Sequence, residues 1–467
     1  MATMFSAGCS TRVVGPDLGT LYRESAQYQD EHRNPVIVIP GILGSKLIDG
    51  DSGRVVWGAF SGDYANPQTV EGARLLALPM RERAVLSELR DEVRPDGVLD
   101  RVKLNLLGLP VELGAYVQVL ATLGVGGYRD ELLGRVGAVD YGELHYTCFQ
   151  FDYDWRRDLV ENARRLDGFI REKRGYIAAE LRKSYGVVNP EVKFDIVAHS
   201  MGGMLARYYL EYGTVDLPPP GTAPKPTWAG AEFVDQAVLV GTPNAGSIKA
   251  LFQLIRGATL TPILPTYPPA VLGTMPAVYQ LLPRTRHSTL LDAQDRSKSL
   301  DILDPGLWEE MGWGLADPDE DRVLKTLLPE VRDAGERRRI AVDHQRKCLD
   351  RARRLHAALD AASSPPPGSK LHLFAGDAEP TDEVAAADRR TGRVRIVGRS
   401  AGDGTVTRNS ALMDERTGRG YTPGLQSPID WSSVTFVFTD HLGMTKDPAF
   451  SDNVLFLLLE RGDVHGP

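Results

Sequence analysis

Apolar and polar positions divide the chain into two kinds of stretch. Short apolar runs of strand length occupy residues 35–39, 144–151, 192–198, 233–240, 370–375, 394–397 and 434–438. Between several of them, apolar residues recur every three to four positions with charges on the other side, as Leu159, Ala163, Leu166 and Ile170 do; that spacing predicts helices over about 158–185, 201–212 and 448–461. The strand-helix-strand rhythm from 144 to 240 requires parallel strands joined by right-handed crossovers. Two stretches break the rhythm. Residues 50–140 carry Pro and Gly punctuation and mixed charge runs, and read as an insertion above the sheet. Residues 246–365 begin apolar and proline-broken and end as a charged helical region, which suits a cap or lid over an apolar ligand. The expected fold is α/β: an irregular leader at 1–34, then one domain over 35–467 with a mostly parallel central sheet and these two cap or lid insertions.

Composition narrows the function. With 42% apolar and 25% charged residues the chain has the make-up of an ordinary globular protein. A formal charge of -8 argues against a nucleic-acid partner, and the basic runs at Arg337 to Arg339 and at Arg389 and Arg390 are interleaved with acids. Cys9, Cys148 and Cys348 are too few and too scattered for a disulfide framework or a zinc site, so no metal is expected. No G-x-G-x-x-G follows the first strand, and no dinucleotide cofactor is expected either. No run approaches the length of a transmembrane helix. As the chain stands it carries no complete export signal, which reads as cytoplasmic. Ser6, Ala7, Gly8 and Cys9 nevertheless look like the tail of a bacterial lipoprotein signal; with a start further upstream, Cys9 would be the lipidated residue.

The chemistry centres on Ala198-His199-Ser200-Met201-Gly202-Gly203, set between a strand and a helix. Small residues around a serine at such a junction form the nucleophile elbow of α/β-hydrolases, where a strained turn presents Oγ at the top of the sheet. The strand at 35–39 runs into Pro40-Gly41-Ile42-Leu43-Gly44-Ser45, placed to supply one oxyanion N–H; Leu43 is the first candidate and Ile42 the second. A serine hydroxyl needs an imidazole to take its proton and a carboxylate to orient that imidazole. His441 follows the last strand, where the chain order serine, acid, histidine requires it. Two acids compete on position, Asp377 after the strand at 370–375 and Asp403 in the Gly402-Asp403-Gly404 turn. Trp57 and Trp155 are candidates for substrate contact, and an Asp154–Arg156 ion pair is expected to hold the loop containing Trp155.

These pieces resemble the lecithin:cholesterol acyltransferase family. The resemblance rests on Ile39 to Ser45, Tyr153-Asp154-Trp155-Arg156, Ala198 to Gly202, Gly241-Thr242-Pro243, Gly402 to Val406 and Asp440-His441-Leu442, in the family's order over about 35–445. It implies a Ser200, Asp403 and His441 triad, favouring Asp403 over Asp377, and oxyanion amides on Leu43 and Met201. The chain departs from the mammalian secreted enzymes in lacking their paired cysteines and in its long second insertion. The resemblance implies serine-dependent acyl transfer on a lipid ester met at a membrane or micelle surface, as a lipase, phospholipase or O-acyltransferase. A second class is a non-catalytic relative that binds lipid on the same fold.

Overall fold

The computed structural model describes residues 15–28, 33–58, 64–99, 101–106, 109–114, 116–259, 265–416 and 422–460. Cys9 and much of the leader lie outside them. The apolar runs form six strands: β1 (Val36–Ile39), β2 (Cys148–Gln150), β3 (Phe194–His199), β4 (Val234–Val240), β5 (Lys370–Gly376) and β6 (Ser433–Val437). They pair in the order β6-β5-β4-β3-β1-β2, each neighbouring pair parallel. Because all six run the same way, their carboxyl ends fall on one edge of the sheet, the edge where open α/β sheets hold their ligands.

Five helices carry most of the packing: α1 (Val117–Val125), α2 (Leu159–Tyr185), α3 (Met201–Tyr212), α4 (Ala334–Leu359) and α5 (Pro448–Leu459). Successive side chains of a strand point to opposite faces, so each buried strand feeds two cores. Val36, Val38, Val197, Val238, Val240 and Phe374 join Val119 and Leu123 of α1 and Phe450 and Val454 of α5. Ile37, Ile39, Ile196, Ala198, Leu239 and Leu373 join Leu166 and Ile170 of α2, Leu205 and Tyr209 of α3, and Leu355 and Leu359 of α4. Full burial of each such aliphatic side chain is worth about 1.5–3 kcal/mol. α2 shows how local sequence sets an element. Asp158 caps it by accepting the Val160 N–H at 3.1 Å, its apolar stripe is buried, and Gly186 ends it at φ 70°.

The structure revises several boundaries. The described part of the leader is not irregular: Leu18–Leu21 and Arg23–Gln27 are short helices, and Tyr22 Oη donates to the Asp452 carbonyl of α5 at 2.9 Å. Helices of four and five residues are too short to leave a periodic signal. In 50–140, α1 packs on the sheet and forms part of one core layer rather than lying above it. The rest holds a three-stranded sheet of Ser45–Asp49, Val55–Trp57 and Val93–Val98, and a hairpin of Arg101–Leu106 with Leu109–Gly114. In 246–365, α4 is clasped to α3 by Arg207 Nη2 and Tyr212 Oη, which donate to the carbonyls of Leu359 and Ala358 at 2.9 and 2.8 Å. The proline-broken segment is buried too, with Met275, Ala277, Tyr279 and Leu282 at most 0% exposed. An apolar stretch reads the same in sequence whether it covers a ligand or packs on protein. The strand expected at 394–397 is part of a longer one, Arg393–Gly402, which pairs antiparallel with Glu379–Asp388 outside the central sheet.

Candidate active site

At the carboxyl end of β3 the chain turns so sharply that Ser200 takes φ 54° and ψ -125°. A non-glycine residue there costs about 1–3 kcal/mol. The surroundings hold it: the Ser200 N–H donates to the Val240 carbonyl at 2.7 Å, and the Ser200 carbonyl accepts from Gly203 N–H at 2.9 Å. The two glycines that follow are steric requirements. A Cβ on Gly202 would lie 2.4 Å from the Pro40 carbonyl oxygen, and one on Gly203 would lie 1.9 Å from Thr242 Oγ1. α3 can therefore press against the ends of β1 and β4 and leave Oγ at the sheet edge.

Ser200 Oγ lies 3.0 Å from His441 Nε2, and His441 Nδ1 lies 2.8 Å from Asp403 Oδ2. Residues 241 and 38 positions apart in sequence thus meet in one hydrogen-bonded line. Asp403 is buried, and its other oxygen, Oδ1, accepts the amides of Thr405 and Val406 at 2.9 and 2.7 Å. Those bonds aim the carboxylate at the imidazole, and the His441 N–H donates to the Asp403 carbonyl at 2.9 Å. Gly376, the last residue of β5, leaves room for this approach, since a Cβ there would lie 2.6 Å from that of Asp403. Asp377, the rival acid on position, pairs instead with Arg408 at 3.1 Å.

The loop after β1 is held from outside by three aromatic donors. Tyr153 Oη donates to the Pro40 carbonyl at 2.9 Å, Trp57 Nε1 to that of Leu43 at 2.7 Å, and Trp155 Nε1 to that of Ser45 at 3.2 Å. Those bonds occupy the Pro40, Leu43 and Ser45 carbonyls. Leu43 takes φ 65°, and among the described residues the N–H groups of Ile42, Leu43 and Met201 have no protein acceptor. Both candidate indoles are buried and packed edge to face, centroids 5.4 Å apart, and Trp57 also packs edge to face on Tyr267 at 5.8 Å.

The expected ion pair is present and larger than the motif suggests. Arg156 Nε and Nη2 reach both Asp154 oxygens at 2.9 and 2.8 Å, Nη2 also reaches Asp91 at 2.8 Å, and Nη1 donates to the Leu75 and Leu76 carbonyls. Burial works to raise the Asp154 carboxyl, but Arg156 and Arg157 hold it below the usual carboxylate range. Asp91, Tyr116 and the roles of Tyr153 and His199 were not read from sequence. Nothing local marks Asp91 or Tyr116, because each earns its contacts only through the path of the 50–140 segment.

A parallel sheet with a serine elbow at its carboxyl edge, flanked by helices on both faces, defines an α/β-hydrolase. Residues 136–305 match the model of the family described as Lecithin:cholesterol acyltransferase. Among solved structures, the Tle4–Tli4 complex contains a chain that superposes with a TM-score of 0.55 at 16% identity, covering 92% of this chain and 98% of that one. Bacillus licheniformis lipase BlEst2 in its mature form overlaps with a TM-score of 0.31 at 12% identity, covering 93% and 94%. The first shows a shared fold. No curated protein matches the chain in sequence.

Proposed function

We propose that the protein transfers acyl groups from lipid esters through an acyl-Ser200 intermediate. The observation that carries this reading is the line from Ser200 Oγ through His441 to Asp403, at 3.0 and 2.8 Å. His441 Nε2 takes the hydroxyl proton as Oγ attacks the ester carbonyl, and Asp403 steadies the imidazolium that forms. The amides of Leu43 and Met201, with Ile42 as the alternative to Leu43, receive the developing oxyanion, each donor worth about 3–4 kcal/mol. His441 then returns its proton to the departing alcohol. The acyl-serine is resolved by water, giving a fatty acid, or by a second alcohol, giving a new ester.

A lipid substrate is supported by the family match and by two exposed apolar side chains within three residues of His441 in sequence, Phe438 at 81% and Leu442 at 60% exposure. Trp57 and Trp155 act in this reading by holding the oxyanion loop rather than by touching the acyl chain. The test is labelling with a fluorophosphonate followed by product analysis on phosphatidylcholine micelles, with and without an added long-chain alcohol. One label per chain on Ser200, none on the Ser200→Ala variant, and fatty acid or alkyl ester among the products are expected. A folded chain that binds the micelles yet takes no label and releases no product would instead be a lipid-binding relative without catalysis.

A further inference from the structure

Two polar side chains stand next to the reacting groups without touching the reacting atoms. Tyr116 precedes α1, and His199 is the residue before the elbow serine; both are buried. The Gly41 N–H donates to Tyr116 Oη at 2.7 Å, Tyr116 Oη lies 3.1 Å from His199 Nδ1, and His199 Nε2 lies 3.1 Å from the His441 carbonyl oxygen. The imidazoles of His199 and His441 are tilted against each other with centroids 4.9 Å apart.

Only one arrangement of protons satisfies this chain. A carbonyl oxygen accepts and never donates, so His199 Nε2 carries the hydrogen facing His441. Burial, and then the neighbouring His441, push the His199 imidazole down to about 3, which keeps the ring neutral at ordinary pH and leaves Nδ1 as an acceptor. Tyr116 fills that acceptor with its O–H, and its oxygen receives the Gly41 amide. Burial raises the phenol further from ionisation, so this hydrogen stays in place. Every donor in the chain points the same way, from the loop after β1 to the backbone of the histidine after β6.

We propose that Tyr116 and His199 are positioning residues that tie the oxyanion loop to the backbone of the general base, so that both halves of the site are held in one register. The proposal rests on the acyl-serine reading. Gly41 precedes the candidate oxyanion amides, and His441 is otherwise held by Asp403, through its own N–H and Nδ1, and by Ser200 Oγ at Nε2. A site held within a fraction of an ångström on both sides of the ester carbonyl raises the rate of the chemical step without tightening ground-state binding.

The experiment uses the full chain with p-nitrophenyl butyrate as a soluble probe, comparing the parent with Tyr116→Phe, His199→Ala and His199→Gln. Thermal unfolding and fluorophosphonate labelling of Ser200 are measured in parallel. Tyr116→Phe removes the bonds to Gly41 and His199 but leaves His199 its bond to the His441 carbonyl, and is expected to lower kcat about tenfold; His199→Ala also removes the bond that reaches the general base, and is expected to lower kcat about a hundredfold, each with KM within about twofold. His199→Gln, whose amide can donate to the His441 carbonyl, is expected to recover about tenfold of that loss. Tyr116→Phe preserves shape, so it reports even where His199→Ala folds poorly. If Tyr116→Phe and His199→Ala both turn over within about twofold of the parent, or if Gln is no better than Ala and kcat falls only as far as thermal stability does, the proposal is wrong. A parent chain that takes no label would remove the serine reading and this proposal together; a labelled parent with indifferent variants would remove this proposal alone.

Discussion

The indole N–H of Trp57 donates to the carbonyl oxygen of Leu43 at 2.7 Å, across 14 residues of sequence. Leu43 is one of the few non-glycine residues at positive φ among the described residues, and the bond fixes its carbonyl in the loop that carries the candidate oxyanion amides. Replacement of Trp57 by Phe keeps the aromatic packing on Trp155 and removes the donor. A loss of about 1–2 kcal/mol of transition-state stabilisation, or roughly 5- to 30-fold in kcat, is expected, with a small change in KM. Steady-state kinetics check this, and an unchanged kcat would mean that the loop keeps its shape without the indole.

The two acids are separated by mutation. Asp403→Ala should lower kcat about 10⁴-fold, as loss of the orienting carboxylate of a triad does. Asp377→Ala removes only a half-exposed pair with Arg408, worth about 0–1 kcal/mol, and should leave kcat within about threefold. An Asp377 variant as inactive as the Asp403 variant would reverse the assignment.

Arg156 is fully buried and satisfies Asp154, Asp91 and two backbone carbonyls at once. Arg156→Met leaves the buried Asp154 with Arg157 as its remaining ion-pair partner and frees the Leu75 and Leu76 carbonyls, and should destabilise the fold by about 3 kcal/mol, read as a lowered urea midpoint at constant slope. It should also weaken the response to acid, because without Arg156 burial raises the Asp154 carboxyl and the stability that the parent loses in acid is already gone. Asp154 is held below its ordinary value, so its contribution is present above the unfolded value and is lost as pH falls. A midpoint within error of the parent would show that the pair adds nothing net to stability.

Asp195 gives the opposite dependence on pH. Burial pushes its carboxyl up to about 7, while amide donors from Gln236 and Asn34 at 2.9 and 3.1 Å pull the other way. Between the unfolded value of about 4 and the folded value of about 7, the folded chain binds the extra proton. Stability therefore falls as pH rises through that window, by up to about 1.4 kcal/mol per pH unit from this group. Asp195→Asn has no proton to lose. Its melting temperature should gain on the parent between pH 5 and pH 7.5 in calorimetry, and parallel curves for the two proteins would rule the effect out.

Much of the architecture was legible because short-range physics wrote it. β1, β3, β4 and β5 are largely buried apolar runs, β6 is a half-buried one, and α2 carries its cap, stripe and terminating glycine within its own sequence. The strand Glu379–Asp388 left no such trace, since its Ala and acidic residues have poor strand propensity and are ordered by their partner, Arg393–Gly402. The buried state of 269–282 was equally unreadable: apolar residues signal burial without saying what buries them.

Ser200, His441 and the loop after β1 could be named from residue type and chain position, because a strained turn demands small neighbours and a parallel sheet gathers its strand ends on one edge. Asp403 and Asp377 could not be separated by position, since both follow strands by one or two residues; the difference lies in which carboxylate reaches His441, at 2.8 Å for Asp403, while Asp377 turns to Arg408. The chain alone thus determined which elements form and which reactive side chains stand near the sheet edge. Only the tertiary structure decided which of them touch, and it brought Tyr116, Asp91 and Trp57 to the site from a segment with no motif, because a hydrogen bond depends on separation in space and that is set by packing across hundreds of residues.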